Sequence, residues 1–243
     1  VYRVWRKKNP VRKGIGWANE PSFQKEMPVR MELAQRAAKR SDAAVVVPGR
    51  SSGEDRDNAV IPGGYLLTET EEELLRVVCS QFSRAAVVLN TGGIMDMKWV
   101  KKYRPGAVLY AWQGGQEGGN AICDVLTGAM NPSGRLTDTI AVHIEDYPST
   151  ANFGDRKRNF YTEDIYVGYR YFETAAKERV LYPFGYGLSY TCFEHTVSDF
   201  RLENPGDYKN AAVRFACTVK NIGDIPVKQV VQVFAAPPRG ILG

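Results

Sequence analysis

Short apolar segments alternate with segments of helical periodicity over roughly the first 130 residues, and this alternation constrains the fold more than any other feature. The apolar segments are AAVVVP (43–48), AAVVLN (85–90) and GAVLYAW (106–112). Strands that are apolar throughout, rather than at every second position, are typical of parallel sheets buried on both faces. The sequence therefore predicts an α/β fold, with a largely parallel sheet and helices on both faces (an α/β sandwich).

The helical segments between these strands carry recognisable start and stop signals. They are RMELAQRAAKRSD (30–42), TETEEELLRVVCSQF (68–82), MDMKWVKKY (95–103) and NAICDVLTG (120–128). Thr68 and Glu71 have the spacing of a capping box, and Gly128 stands where a helix would end. One face of the second helix is apolar and is predicted to face the core; it carries Leu74, Leu75, Val78 and Phe82.

The pattern changes after about Asn131. Residues 143–190 are rich in turn signals such as NFGD and YPFGYGLSYT, and no long helix is predicted there. TVSDFRLEN, AAVRFACTVKN and VVQVFAAP then predict three strands, the first of an incomplete β-sandwich. We therefore predict four regions: an N-terminal connector with a partial strand (1–28), the α/β sandwich (29–142), a turn-rich linker (143–190) and the truncated β-sandwich (191–243).

Composition excludes several classes of function. Of the 243 residues, 44% are hydrophobic and 24% charged, and no apolar run approaches the ~20 residues of a membrane span. The net charge of +5 comes from two local clusters without a nucleic-acid-binding motif, so neither nucleic acid nor membrane is expected as a partner. Four cysteines and two histidines lack metal-ligand spacing, so no metal or other cofactor is expected. Free cysteines and the lack of a visible signal peptide favour the cytoplasm.

Glu54 is the candidate functional residue. It lies in the loop Arg50–Asp57 directly after the first strand, and sites in parallel sheets lie beyond the carboxyl ends of the strands. Asp55 and Asp57 would raise the pKa of Glu54 whereas Arg50 and Arg56 would lower it, so the residues alone leave the balance open. An ordinary loop acid is the alternative. The glycine loop WQGGQEGGN lacks the spacing of a phosphate-binding loop and is interpreted as a tight turn.

Several motifs taken together resemble one family. GRSSGEDRDN (49–58), AVVLNTGG, VLYAWQGGQEGGNAICDVLTGAMNPSGRLTDTIA, YTEDIYVGYRYFET and YPFGYGLSYTCFEH are similar to glycoside hydrolase family 3, the β-glucosidase type. The resemblance runs from about Asp42 to Pro238. It implies an α/β sandwich domain followed by the start of a fibronectin-type-III-like domain. The TIM-like barrel of the family is not in this chain.

The resemblance also implies a role for Glu54. The family's acid/base loop is written G-E-G-x-D-R, and Gly53-Glu54 match its first two positions, whereas Asp55 replaces the next glycine. Glu54 would thus be the catalytic acid/base of a retaining β-glycosidase that needs no cofactor, and the nucleophile would come from the barrel. The implied partners are a β-linked oligosaccharide or glucoside and a TIM-like barrel in the same or a companion chain; a homodimer is also left open. No residue is assigned to substrate binding.

A stand-alone module that binds carbohydrate or another partner, without catalysis, is the alternative function. The chain begins without the first strand expected of the family's sandwich domain and stops within the β-sandwich. A self-sufficient module would not be interrupted at both ends. We therefore expect part of a hydrolase rather than a module.

Overall fold

The computed structural model describes residues 1–14, 21, 23–51, 58–207 and 209–236. The chain forms two compact units. Unit 1 comprises Val1–Ile122 and Asp138–Phe184, and unit 2 comprises Cys123–Thr137 and Gly185–Gly243. Among the described residues, no helix is long and apolar enough to cross a membrane. The four predicted regions do not coincide with these units, and their boundaries remain predictions.

The main sheet of unit 1 is parallel and has three strands in the order β1-β2-β3. The strands are β1 (Ala44–Val46), β2 (Ala85–Leu89) and β3 (Ala107–Tyr110). The central strand β2 is buried along nearly its whole length, whereas Val45 of the edge strand β1 is about half exposed. The parallel α/β arrangement predicted from the apolar segments is confirmed.

Two helices precede β1, and the others lie between later strands. Their bounds are α1 (Tyr2–Lys8), α2 (Met31–Ala38), α3 (Glu69–Gln81), α4 (Lys98–Tyr103), α5 (Gly118–Thr127) and α6 (Tyr169–Ala175). The predicted capping box begins α3: Thr68 Oγ1 accepts from the Glu71 backbone N–H at 3.1 Å, and the Thr68 N–H donates to Glu71 Oε2 at 2.7 Å. Gly128 follows α5 with φ +80°, a left-handed conformation that glycine adopts without strain.

Two helices lie where none was predicted. Helix α1 is in the region expected to be a connector with a partial strand, and the described residues of 1–28 contain no strand. The Arg6 guanidinium lies over the ring of Tyr2, one helical turn earlier, and over that of the adjacent Trp5, and these contacts support α1. Helix α6 lies in the turn-rich linker and buries Phe172, which packs edge-on against Tyr147 with ring centroids 5.4 Å apart.

A small antiparallel pair lies in unit 1 beside α6. Strand β4 (Ile140–Ala141) pairs with β5 (Val180–Tyr182). Ala141 and Phe172 are almost completely buried and form one cluster with Ala176. Residues 143–184 of the predicted linker therefore belong to unit 1, with Phe172 and Ala176 in a packed cluster.

Unit 2 contains an antiparallel ribbon of β6 (Phe193–Glu203) and β7 (Ala212–Asn221). The third predicted strand, VVQVFAAP, is not formed: residues 230–236 pair with no strand in the described part of the chain. A strand needs a neighbour for its backbone hydrogen bonds, and local sequence cannot supply one. The ribbon also leaves apolar side chains over half exposed, namely Val197, Phe200, Leu202 and Val213.

Candidate functional site

The carboxyl ends of the three strands of unit 1 are tied together by backbone hydrogen bonds. The Asn90 N–H donates to the Pro48 carbonyl, and the Arg50 N–H donates to the Asn90 carbonyl, both at 3.0 Å. The Ala111 N–H donates to the Leu89 carbonyl at 3.0 Å, which extends β3 past its last residue. The segments after the strands therefore leave the sheet side by side at one edge, as expected for a site in a parallel α/β fold.

Glu54 itself, with its neighbours in 52–57, lies outside the described residues. The chain on both sides of this segment is described, and one side chain joins the two flanks. That side chain belongs to Arg50, which precedes the segment and is buried.

The guanidinium of Arg50 has five N–H donors, and each has an acceptor. Nε donates to the Gly64 carbonyl at 2.9 Å. Nη1 donates to the Gly49 carbonyl at 2.8 Å and to Glu71 Oε1 at 2.5 Å. Nη2 donates to the Leu66 carbonyl at 3.2 Å and to Glu71 Oε2 at 2.8 Å. Arg50 thus binds the chain that leaves β1, the chain that returns toward α3, and the first turn of α3.

The returning chain is itself ordered by backbone bonds. Ala59 accepts from the N–H groups of Ile61 and Tyr65 at 2.9 Å, and the Gly63 N–H donates to the Leu66 carbonyl at 2.9 Å. Gly63 has φ +82°, and a Cβ there would collide with the ring of Phe23, so the turn requires glycine. The described chain before and after the Glu54 segment is therefore held by hydrogen bonds on both sides.

A third ionisable residue, Glu26, has a pKa that responds to the charges of Arg50 and Glu71. Its Oε2 atom is buried and has no hydrogen-bond partner among the described residues. Burial raises the pKa of Glu26 to about 7, with a further increase from the charge of Glu71 and a partial decrease from Arg50. At neutral pH this carboxyl is therefore protonated in a large fraction of molecules.

The loops after β2 and β3 also lie at the carboxyl edge of the sheet. Thr91 Oγ1 and the Tyr110 hydroxyl both donate to the Gly93 carbonyl, at 2.9 and 2.8 Å. Gln113 Nε2 donates to the Arg50 carbonyl at 3.1 Å, so the loop after β3 contacts the described chain that precedes the Glu54 segment. The ring of Trp112 lies against that of Tyr110, with centroids 4.5 Å apart, and provides an aromatic surface at this edge.

The glycine loop ends at the start of α5. Glu117 directly precedes the helix, where its carbonyl accepts from the Ala121 N–H at 3.0 Å. Its carboxylate accepts from Asn120 Nδ2. These contacts are typical of an acid at the start of a helix.

Sequence reasoning missed the functions of Arg50 and Glu71. Arg50 was expected to act on Glu54 by its charge, yet its charge is balanced by Glu71. Glu71 was identified only as a capping residue. The sequence does contain a signal for the buried pair. Glu71 shares a helix face with Leu75 and Val78, and a charged residue on an apolar face needs a buried partner.

The chain was compared with known proteins. Residues 24–190 match the family model described as the glycosyl hydrolase family 3 C-terminal domain. The chain is 46% identical over 243 residues to a β-glucosidase of Ruminococcus albus, and 41% identical over 261 aligned residues to β-glucosidase A of Butyrivibrio fibrisolvens. It covers 25% and 31% of those proteins, while 100% and 92% of the chain is matched.

The chain is also similar to solved structures of β-glucosidases. A β-glucosidase from Paenibacillus barengoltzii matches with a TM-score of 0.86 and 49% identity, over 91% of this chain and 24% of that one. β-Glucosidase 3B from Thermotoga neapolitana, in complex with glucose, matches with a TM-score of 0.75 and 33% identity, over 91% of this chain and 31% of that one. The chain thus spans about a quarter to a third of the length of these relatives.

Proposed function

Because the chain belongs to glycosyl hydrolase family 3, as the C-terminal domain of that family, we propose that it is part of a retaining β-glycosidase and that Glu54 is the general acid/base. The substrate class is a terminal, non-reducing β-linked sugar of an oligosaccharide or glucoside. A TIM-like barrel, in the same or a companion chain, contributes the nucleophile and most of the sugar pocket.

The reaction has two steps in which Glu54 moves one proton each way. First, an aspartate of the barrel attacks the anomeric carbon while protonated Glu54 gives its proton to the glycosidic oxygen, so the leaving alcohol departs neutral. Glu54, now a carboxylate, then takes a proton from water as the water oxygen attacks the same carbon. The aspartate leaves, and the sugar is released with its configuration retained.

The observation that best supports this proposal is the attachment of both flanks of the Glu54 segment to Arg50. A general acid has to be held within hydrogen-bond reach of the leaving oxygen, and the two carboxyl groups of a retaining enzyme stand ~5–5.5 Å apart. Arg50 is bound to Gly49 before the segment and to Gly64 and Leu66 after it. This arrangement supports a loop whose ends stay fixed at the carboxyl edge of the sheet.

The test is Glu54→Gln in the complete enzyme. General acid catalysis contributes ~10²–10⁴-fold, and an activated aryl leaving group needs little of it. We expect a large loss with a natural disaccharide, a much smaller loss with an activated aryl glycoside, and rescue by azide, which attacks the glycosyl-enzyme without a base.

Matched variants in the same loop are Asp55→Asn and Asp57→Asn. If azide rescues one of these variants and does not rescue Glu54→Gln, the acid/base is that aspartate and not Glu54. Full activity of Glu54→Gln on a disaccharide would contradict the proposal.

A further inference from the structure

Trp112 follows the end of β3 in a backbone conformation that a bulky side chain rarely adopts. Its φ is +55°, in the left-handed region. The other described non-glycine residues with positive φ are Arg104, which ends α4, and residues of a type that tolerates this region, namely Asp164, Asp199 and Asn204. Neither reason applies to Trp112. Strain of this kind persists where surrounding contacts fix the residue, and it is concentrated at functional sites.

The turn at Trp112 separates strand β3 from a side chain that bonds across the sheet edge. The Ala111 N–H donates to the Leu89 carbonyl at 3.0 Å, so the chain follows β2 up to this point. Directly after Trp112, Gln113 Nε2 donates to the Arg50 carbonyl at 3.1 Å. In the order β1-β2-β3 the outer strands are not neighbours. This bond therefore joins the chain after β3 to the chain after β1, which the sheet itself does not pair.

The rest of Arg50 is held by other contacts. Its N–H donates to the Asn90 carbonyl at 3.0 Å, and its guanidinium is bonded to Glu71 and to backbone carbonyls. A peptide unit is planar, so the orientation of the Arg50 carbonyl also fixes that of the Ser51 N–H. The bond from Gln113 thus selects the rotation about the Cα–C bond of Arg50, and with it the direction in which the chain leaves Arg50.

We propose that Gln113 is a positioning residue: by holding the Arg50 carbonyl it orients the start of the loop that carries the general acid/base, and the left-handed turn at Trp112 brings its amide to that carbonyl. The inference rests on the proposed function of Glu54, which follows Arg50 in the same loop. The Gln113 side chain is exposed, so the core does not depend on it. Its loss should impair proton transfer to the leaving oxygen and leave the fold intact.

The experiment compares variants of the complete enzyme that contains this chain and its barrel. Gln113→Met keeps the length of the side chain and removes the donor, and Gln113→Asn keeps the amide and shortens its reach. Gln116→Met, at an exposed position of the same loop, is the control. The parameter is kcat/KM, which reports the step in which the acid protonates the leaving group, for a β-linked glucose disaccharide and for a dinitrophenyl β-glucoside.

Both Gln113 variants should lose about three- to tenfold with the disaccharide, the range that one hydrogen bond contributes, and little with the activated aryl substrate, which needs little acid assistance. The control should match wild type with both substrates. A merely structural function of Gln113 would lower both values by the same factor. Equal loss with both substrates, or no loss with either, would therefore overturn the inference.

A double variant tests whether Gln113 acts through Glu54. Where Glu54→Gln is itself impaired, adding Gln113→Met should cause no further loss with the disaccharide, because no proton remains to be positioned. A further loss of the same size would overturn the inference.

The proposed function fails separately, through Glu54→Gln alone. If that variant keeps full activity on the disaccharide, the acid/base assignment is wrong. A selective loss in the two Gln113 variants would then still show that Gln113 positions the group that protonates the leaving oxygen.

Discussion

Arg50 and Glu71 form a bidentate ion pair inside the protein, with Nη1–Oε1 at 2.5 Å and Nη2–Oε2 at 2.8 Å. Their side chains are only 5% and 3% exposed. Two charges out of water are tolerated when each remaining donor or acceptor is satisfied. Here backbone carbonyls accept from the remaining N–H donors of Arg50. The Thr68 N–H donates to Glu71 Oε2. The pair connects the end of β1 with the start of α3.

Removal of one partner of this pair should strongly destabilise the chain. Glu71→Gln leaves a buried guanidinium without a counter-ion, and we expect the free energy of unfolding to fall by about 3–5 kcal/mol. Urea unfolding of wild type and variant measures the difference. Glu73→Gln is the control, because Glu73 pairs with Arg76 on the exposed side of the same helix and should leave the midpoint unchanged. If Glu71→Gln and Glu73→Gln unfold at similar urea concentrations, the buried pair is no more important for stability than the exposed one.

The capping box of α3 should contribute measurably. Thr68→Val keeps the shape of the side chain but removes the oxygen that accepts from the Glu71 N–H. We expect a loss of about 1 kcal/mol in the free energy of unfolding, whereas Thr68→Ser should stay close to wild type. Thermal unfolding followed by circular dichroism compares them, and a Thr68→Val variant as stable as wild type would show that the cap makes no measurable contribution.

Tyr147 bridges two backbone groups next to β4. Its hydroxyl accepts from the Ala141 N–H at 2.9 Å and donates to the Thr139 carbonyl at 2.8 Å. Tyr147→Phe keeps the ring against Phe172 but leaves these groups unpaired, so we expect a loss of about 1–3 kcal/mol. Tyr161→Phe, at a position 86% exposed, is the matched control and should have no effect. The comparison is made by urea unfolding.

Stability should fall with rising pH because of Glu26. The folded-state pKa of about 7 lies above the ordinary value of 4.5, so the folded chain binds more protons than the unfolded chain between these values. The contribution of Glu26 is complete below pH 4.5 and is lost as the pH rises through 7. The difference in melting temperature, Glu26→Gln minus wild type, should therefore increase from pH 4.5 to 7 and then level off. A difference that does not vary with pH would show that the pKa is unshifted.

Residues 1–243 alone should be catalytically silent. Retention needs a second carboxylate at a short distance from Glu54, which we propose to come from the barrel. Purified chain, assayed with an aryl β-glucoside at high protein concentration, should show no turnover above buffer. A Glu54→Gln preparation made in parallel controls for contaminating glycosidase. Turnover by the unmodified chain but not by the Glu54→Gln preparation would refute the proposal that the nucleophile comes from the barrel.

Local signals were sufficient for most of the main elements. The capping box of α3 and the end of α5 at Gly128 follow from local signals, because their hydrogen bonds join residues close in sequence. The strands β1 to β3 follow from their continuous apolar runs, although their hydrogen bonds join residues far apart in the sequence. Helices α1 and α6 are short, and their support comes from aromatic contacts such as that of Phe172 with Tyr147. Periodicity over seven residues is too brief to signal such helices.

The sequence by itself determined the parallel α/β pattern, the edge at which a site would lie and, by resemblance, Glu54 as the candidate acid/base. Only the tertiary structure decided that Arg50 is bound by Glu71, a residue 21 positions away, and that Glu26 Oε2 is buried without a hydrogen bond among the described residues. Charge and spacing along the chain do not reveal which donors are already used. That depends on how β1, α3 and the returning chain pack together.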